Sequence, residues 1–121
     1  MSNIRIDNIA PSAGGTYRNA PRGIAAAWVN FNGTGTVAIR DSENVGSITD
    51  NGTGNFTTNF TNSLADSNFC HIAVSGQLGV TWGIVQLGTL TSSSARFGTF
   101  NTGGGSVDSG FNGCTMNGDL A

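Results

Sequence analysis

From Ile24 onward the chain alternates apolar and polar residues with a period of two, and turn residues interrupt it at short intervals. Trp28 to Phe31 reads as the first strand. Thr36 to Arg40 reads as the second, with Val37 and Ile39 on one face and Thr36, Ala38 and Arg40 on the other. Between them lies Asn32-Gly33-Thr34-Gly35, a strong hairpin signal because Asn and Gly tolerate positive φ. Asp41-Ser42-Glu43-Asn44 predicts a turn and Val45 to Thr49 a third strand. The letters Asn-Gly-Thr-Gly return at 51–54, and Phe56, Thr58 and Phe60 then share one strand face. In Phe69 to Ser75, Cys70, Ile72 and Val74 fall on one face, read as the packed one. His71, Ala73 and Ser75 fall on the other. Gly79 to Leu87 mixes Val80, Trp82 and Ile84 with Thr81, Gly83 and Val85. Burial on both faces is expected there, as in a central strand or a subunit interface. Ala95 to Phe100 is a further strand. Val107 to Thr115 pairs once more, weakened by Gly110 and Gly113.

Short strands every ~8–12 residues predict an all-β fold, an antiparallel β-sandwich or a barrel-like jelly-roll. No stretch of ten residues carries a helical period. The expected core or subunit interface is Trp28, Phe31, Val37, Ile39, Phe56, Phe60, Ile72, Val74, Trp82 and Ile84. Residues 1–23 differ: Ile4-Arg5-Ile6-Asp7 alternates, then Pro11, Gly14-Gly15 and Pro21 break the pattern. They read as an N-terminal arm or edge segment, ahead of one β domain over 24–121.

Composition sharpens this picture. Gly (19), Asn (14), Thr (14) and Ser (12) make up about half of the 121 residues, and Lys is absent. Charged residues are 10%, against roughly 25% in ordinary globular proteins. The net charge of −2 and the scattered arginines give no phosphate-tracking face, so nucleic-acid binding is not expected. No apolar run approaches the ~20 residues of a membrane span. The first residues lack the basic and apolar regions of a secretory signal. Cys70 and Cys114 are expected to be free and buried, and the four Asn-X-Thr triplets at Asn32, Asn51, Asn55 and Asn59 unglycosylated.

Candidate chemistry is sparse. His71 is the only histidine, and Asp66 is its nearest possible carboxylate partner. The simpler reading is a polar residue on an outer strand face. Asp41, Glu43 and Asp50 form the densest acidic group. They read as solvated turn residues rather than a glycosidase pair or a calcium loop. Gly103-Gly104-Gly105 does not lie between a strand and a helix, so it is no phosphate loop. One histidine and two distant cysteines do not make a zinc set, and nothing calls for another cofactor. Tyr17 and Arg18, in a Gly-flanked loop, are the freest candidates for contacting a receptor.

The segment Asn19-Ala20-Pro21-Arg22, then Ala27 through Arg40, then Asn44 through Thr61 resembles the C-terminal domains of tailed-bacteriophage tail fibre proteins. The likeness covers roughly residues 19 to 75. It implies a β-rich virion protein, a homotrimer without a transferable catalytic set. It would stand on the virion surface beside other virion proteins and contact a host-surface glycan or protein through loops. The chain ends Met116-Asn117-Gly118-Asp119-Leu120-Ala121 rather than in an apolar strand, and it has little length for a shaft. The alternative is therefore a capsid decoration protein gripping the head through residues 1–23. A glycan depolymerase is a third reading.

Overall fold

The structure, a computed structural model, describes residues 25–76 and 82–121, with the backbone alone over 82–87. It also describes two short strands as backbone, β1 (Asn8–Ile9) and β2 (Arg18–Asn19). Eight longer strands follow: β3 (Ala27–Asn32), β4 (Ala38–Glu43), β5 (Val45–Asp50), β6 (Asn55–Phe60), β7 (Cys70–Gly76), β8 (Trp82–Thr91), β9 (Ser94–Asn101) and β10 (Phe111–Asn117). No helix occurs among the described residues. Sheet I has the order β4-β3-β10-β7 and sheet II the order β5-β6-β9-β8, all neighbours antiparallel. The two pack face to face as an open β-sandwich, as the strand spacing predicts. β1 pairs with β2; the edge strand expected at Ile4–Asp7 lies outside the described residues, as does most of the expected arm.

Three phenylalanines join the layers. Phe31 from sheet I meets Phe56 and Phe97 from sheet II at ring-centroid distances of 5.3 and 5.9 Å, and Phe56 and Phe97 lie 5.9 Å apart. All three are buried. Each ring contributes about 2–3 kcal/mol from apolar burial, and the edge-on ring contacts add to it. Val29, Ala27, Cys114 and Met116 extend this layer on the sheet I side, with Val45 and Ala95 opposite. Val37, Ile39 and Phe60 pack against the cluster from its margin, as expected. At one end Leu64 and Phe69 close the core. There the C-terminal residues pair with the 63–65 segment, through Ala65 N–H to Asp119 O (2.8 Å) and Ala121 N–H to Ser63 O (3.1 Å).

Apart from His71, the buried polar side chains sit where they find hydrogen-bond partners. Asn112 donates to Ser109 O (2.8 Å) and accepts from Ser75 Oγ (3.0 Å), while Gly33 N–H donates to the same Ser109 carbonyl (2.9 Å). Thr58 donates to Ala95 O (3.0 Å). Paired in this way, such groups cost little to bury.

Two turns differ from the sequence reading. The expected hairpin forms, since β3 pairs with β4, but Asn32-Gly33 is not its positive-φ corner. Gly35 carries that role (φ 62°), and Asn32 Oδ1 instead accepts from Thr34 N–H (3.2 Å) and Thr34 Oγ1 (2.8 Å). The expected turn at Asp41–Asn44 shrinks to one residue, because β4 runs on through Glu43. Asn44 (φ 55°) carries the chain from sheet I to sheet II. Its amide donates to Ala26 O (3.1 Å) and Asn62 O (3.0 Å), and its Oδ1 accepts from Asn62 N–H (2.7 Å). Asn is the non-glycine residue that best tolerates this conformation, and here its side chain also ties both layers at the corner.

Gly33 and Gly35 separate space from backbone strain. A Cβ on Gly33 would come within 2.7 Å of the Phe56 ring and 2.9 Å of Asn112 Nδ2, whereas one on Gly35 meets nothing within 4 Å. In urea denaturation, Gly33→Ala is expected to cost about 2–3 kcal/mol through overpacking. Gly35→Ala is expected to cost about 1 kcal/mol, through positive φ alone. Equal losses would contradict this division.

Candidate functional site

Among the described side chains, the two outer faces of the sandwich differ in character. On sheet I, register places Glu43, Trp28, Thr115 and Ile72 in one row across β4, β3, β10 and β7, and Asp41, Asn30, Gly113 and Val74 in the next. Trp28 (36% exposed), Ile72 (54%), Val74 (63%) and Phe111 (49%) all present apolar surface to solvent on this face. Gly113 lies between the β3 and β7 side chains, at the floor of a shallow hollow of about 340 Å³.

Arg40 borders this face through a β-bulge. The β3–β4 register shifts at Asn30/Phe31, so Arg40 and Asp41 together oppose Asn30. The bulge turns Arg40 back across the sheet. Its guanidinium stands 5.0 Å from the Phe111 ring centroid, donates to Asn30 Oδ1 (3.2 Å) and reaches Gly110 O.

Sheet II is outwardly polar along β5 and β6. Asn59 Nδ2 donates to Ser47 Oγ (3.1 Å) and Thr49 Oγ1 (2.9 Å), and Asn51 Nδ2 donates to Thr57 Oγ1 (2.8 Å). These amides and hydroxyls satisfy one another along β5 and β6, so this face carries no comparable apolar patch among the described residues.

The face assignment of β7 corrects the sequence reading. Ile72 and Val74, expected to be packed, point outward with Cys70. His71, expected outside, is 8% exposed and points inward with Ala73. Trp28 likewise lies on the outer face of β3, because Ala27, Val29 and Phe31 occupy the inner one. These three residues are therefore not core. Phe31, Val37, Ile39, Phe56 and Phe60 do pack in or against the core. Trp82 and Ile84 lie in β8, with side chains outside the described residues, and Val80 falls wholly outside them. Tyr17 is outside them too, and Arg18 is described only as backbone in β2.

The catalytic candidates do not assemble. Asp66 is exposed and accepts from Asn68 N–H (2.7 Å), while both His71 ring nitrogens are buried without a hydrogen-bond partner among the described residues. Asp41 and Glu43 are exposed on β4, and Asp50 accepts from Gly52 N–H (2.9 Å). Among the described residues no group of three His, Cys, Asp or Glu side chains is placed to hold a metal ion. Cys70 and Cys114 are free, but only Cys114 is buried; burial pushes its thiol up to about 12. Gly103–Gly105 form a turn in which Asn101 Oδ1 accepts from both Gly103 N–H and Gly105 N–H. No family model, no curated protein and no solved structure matches the chain.

His71 gives a pH prediction. Its ring lies edge-on to Phe97 at 6.1 Å, and desolvation holds its pKa below the ordinary 6.5. Below pH 6.5 the unfolded chain therefore binds a proton that the folded chain resists. Its contribution to stability is full above 6.5 and is lost as pH falls below that value. Chemical denaturation at a series of pH values should show this loss in the native protein, and His71→Leu should flatten it. An unchanged slope in the variant would refute the assignment to His71.

Proposed function

We propose that the chain is a bacteriophage virion surface protein of tail-fibre type that assembles as a homotrimer and contacts the host surface. The observation that carries the reading is the difference between the two outer faces. The apolar side chains Trp28, Ile72, Val74 and Phe111 sit together on sheet I, in a chain whose surface is otherwise rich in Asn, Thr, Ser and Gly. Four neighbouring apolar side chains 36–63% exposed form the kind of contiguous patch that marks functional surfaces on monomers. A stable protein interface buries ~800 Å² per partner, so the proposed contact takes in the polar residues around these side chains as well.

In the proposed assembly the outer face of sheet I packs on neighbouring copies around a threefold axis. The polar face of sheet II is left outward, where loops between strands meet the host. The resemblance of residues 19 to 75 to tail fibre C-terminal domains supports the virion setting. A near-neutral surface of self-satisfied amides and hydroxyls supports dense packing on a particle.

Two measurements test this. Sedimentation at micromolar concentration should give a trimer mass for the native protein. The paired change Trp28→Ser and Val74→Thr should shift it to monomer with the fold retained by circular dichroism. A native monomer would overturn the assembly. Antibody labelling of whole particles in the electron microscope should mark the tail; label confined to the head would replace the fibre reading with the decoration one.

A further inference from the structure

A second surface feature lies on the outer side of sheet II, on the polar face. Arg96, Gly98 and Phe100 alternate outward along β9, and Asn55 and Gly88 flank them from β6 and β8. Together with Ser106 they line a groove of about 200 Å³. Glycine forms its floor for a steric reason. A Cβ on Gly88 would come within 2.9 Å of Arg96 O, and one on Gly98 within 2.9 Å of the Phe100 ring. Phe100 thus leans back across Gly98 toward Arg96. Four residues of strand separate Arg96 and Phe100 by about 13 Å between Cα atoms, and the leaning ring brings the aromatic side chain closer to Arg96 than that.

The donors in the groove are oriented and uncompensated. Arg96 Nε donates to Asn55 Oδ1 (2.9 Å), which fixes the plane of the guanidinium and turns the Asn55 amide nitrogen away as a donor. Nη1 and Nη2 of Arg96 have no partner among the described residues, and no described carboxylate lines the groove; Asp108, beside it, accepts from Gly54 N–H (2.7 Å). A planar pair of N–H donors is complementary to a carboxylate, which accepts both in parallel. An aromatic face one ring away is complementary to the C–H face of a pyranose.

We propose that this groove binds a carboxylated sugar, the uronate residue of an acidic polysaccharide, with its carboxylate on Arg96 Nη1 and Nη2 and its ring against Phe100. The Phe100 ring lies over Gly98 and the Arg96 stem over Gly88, so the sugar rests on the ring, and the Asn55 amide and Ser106 hydroxyl meet its ring hydroxyls. For its biological setting the proposal rests on the host-contact reading above, whose glycan it narrows to an acidic one.

Isothermal titration of the intact chain with a galacturonate trimer tests it, beside the fully methyl-esterified trimer and acetate. Binding is expected for the trimer only. Arg96→Gln should weaken it at least about tenfold, Arg96→Lys by less, and Phe100→Ala by about tenfold. Arg96 is exposed, so its variants are expected to melt as the native protein does, and they decide the matter even if Phe100→Ala fails to fold. Equal binding of the ester, equal binding of acetate, full affinity in Arg96→Gln, or no binding of the trimer would each overturn the proposal. The two readings separate cleanly. A particle-borne protein that binds no trimer loses the groove and keeps the fibre reading. Trimer binding by a protein absent from the tail loses the fibre reading and keeps the groove.

Discussion

The contact of Phe31 with Phe56 and Phe97 is the interaction on which the rest of the sandwich depends. Half of this chain is Gly, Asn, Thr and Ser, which bury little apolar area. The layers are therefore held by a few large side chains, and those must meet across the gap. Phe31 stands on β3, while Phe56 and Phe97 stand directly opposite each other on β6 and β9. Register in both sheets must be right for all three rings to touch. A slip of one residue would send each ring outward and leave the middle of the core to small side chains, with Leu64 and Phe69 at one end. The bulge beside Phe31 fits this constraint, since it takes up the extra residue of β4 without disturbing the inward phase of β3.

Strand period was legible in the sequence, and strand phase was not always so. In β6 only one face carries bulk, Phe56 and Phe60 against Thr57 and Asn59, and the period settles the phase. In β7 both faces have a claim. The pair Ile72 and Val74 is the more apolar, and period alone favours it for the core. The fold chooses His71 and Ala73 because β10 beside them turns Cys114 and Met116 inward, and small Ala73 leaves room for them. The reading of β3 failed similarly, because Trp28 is larger than Ala27 but lies out of phase with Phe31. Phase is decided across the sheet, between strands distant in sequence, and a single strand does not contain it.

Turn chemistry shows the same division. Asn32-Gly33 correctly signalled a hairpin, yet its backbone role passes to Gly35, because Gly33 is pinned under Phe56 and beside Asn112. Those neighbours come from β6 and β10, and no local pattern announces them. Asn44 stood within a polar run that read as an ordinary turn. Its function as a corner appears only once Ala26 and Asn62 are seen to converge on its side chain. The groove at Arg96 was invisible for a related reason. Gly88 and Gly98 are merely two of nineteen glycines until strand pairing sets β8 beside β9.

The outward apolar side chains of β3, β7 and β10 follow from these constraints together. β7 must place His71 and Ala73 inward to fit β10, so whatever alternates with them is exposed. A chain under no other demand would set Thr or Ser at 72 and 74, as it does on the outer faces of β5 and β6, where Asn59 binds Ser47 and Thr49 and Asn51 binds Thr57. Among the described residues, exposed Trp28, Ile72, Val74 and Phe111 gather on the outer face of sheet I. Composition bias accounts for the polar face, since half of the chain is of that type. It cannot account for the apolar one, which departs from that bias at four positions brought together from three strands. Folding stability gains nothing from side chains left in water, so this face is the surface that the proposed assembly would cover.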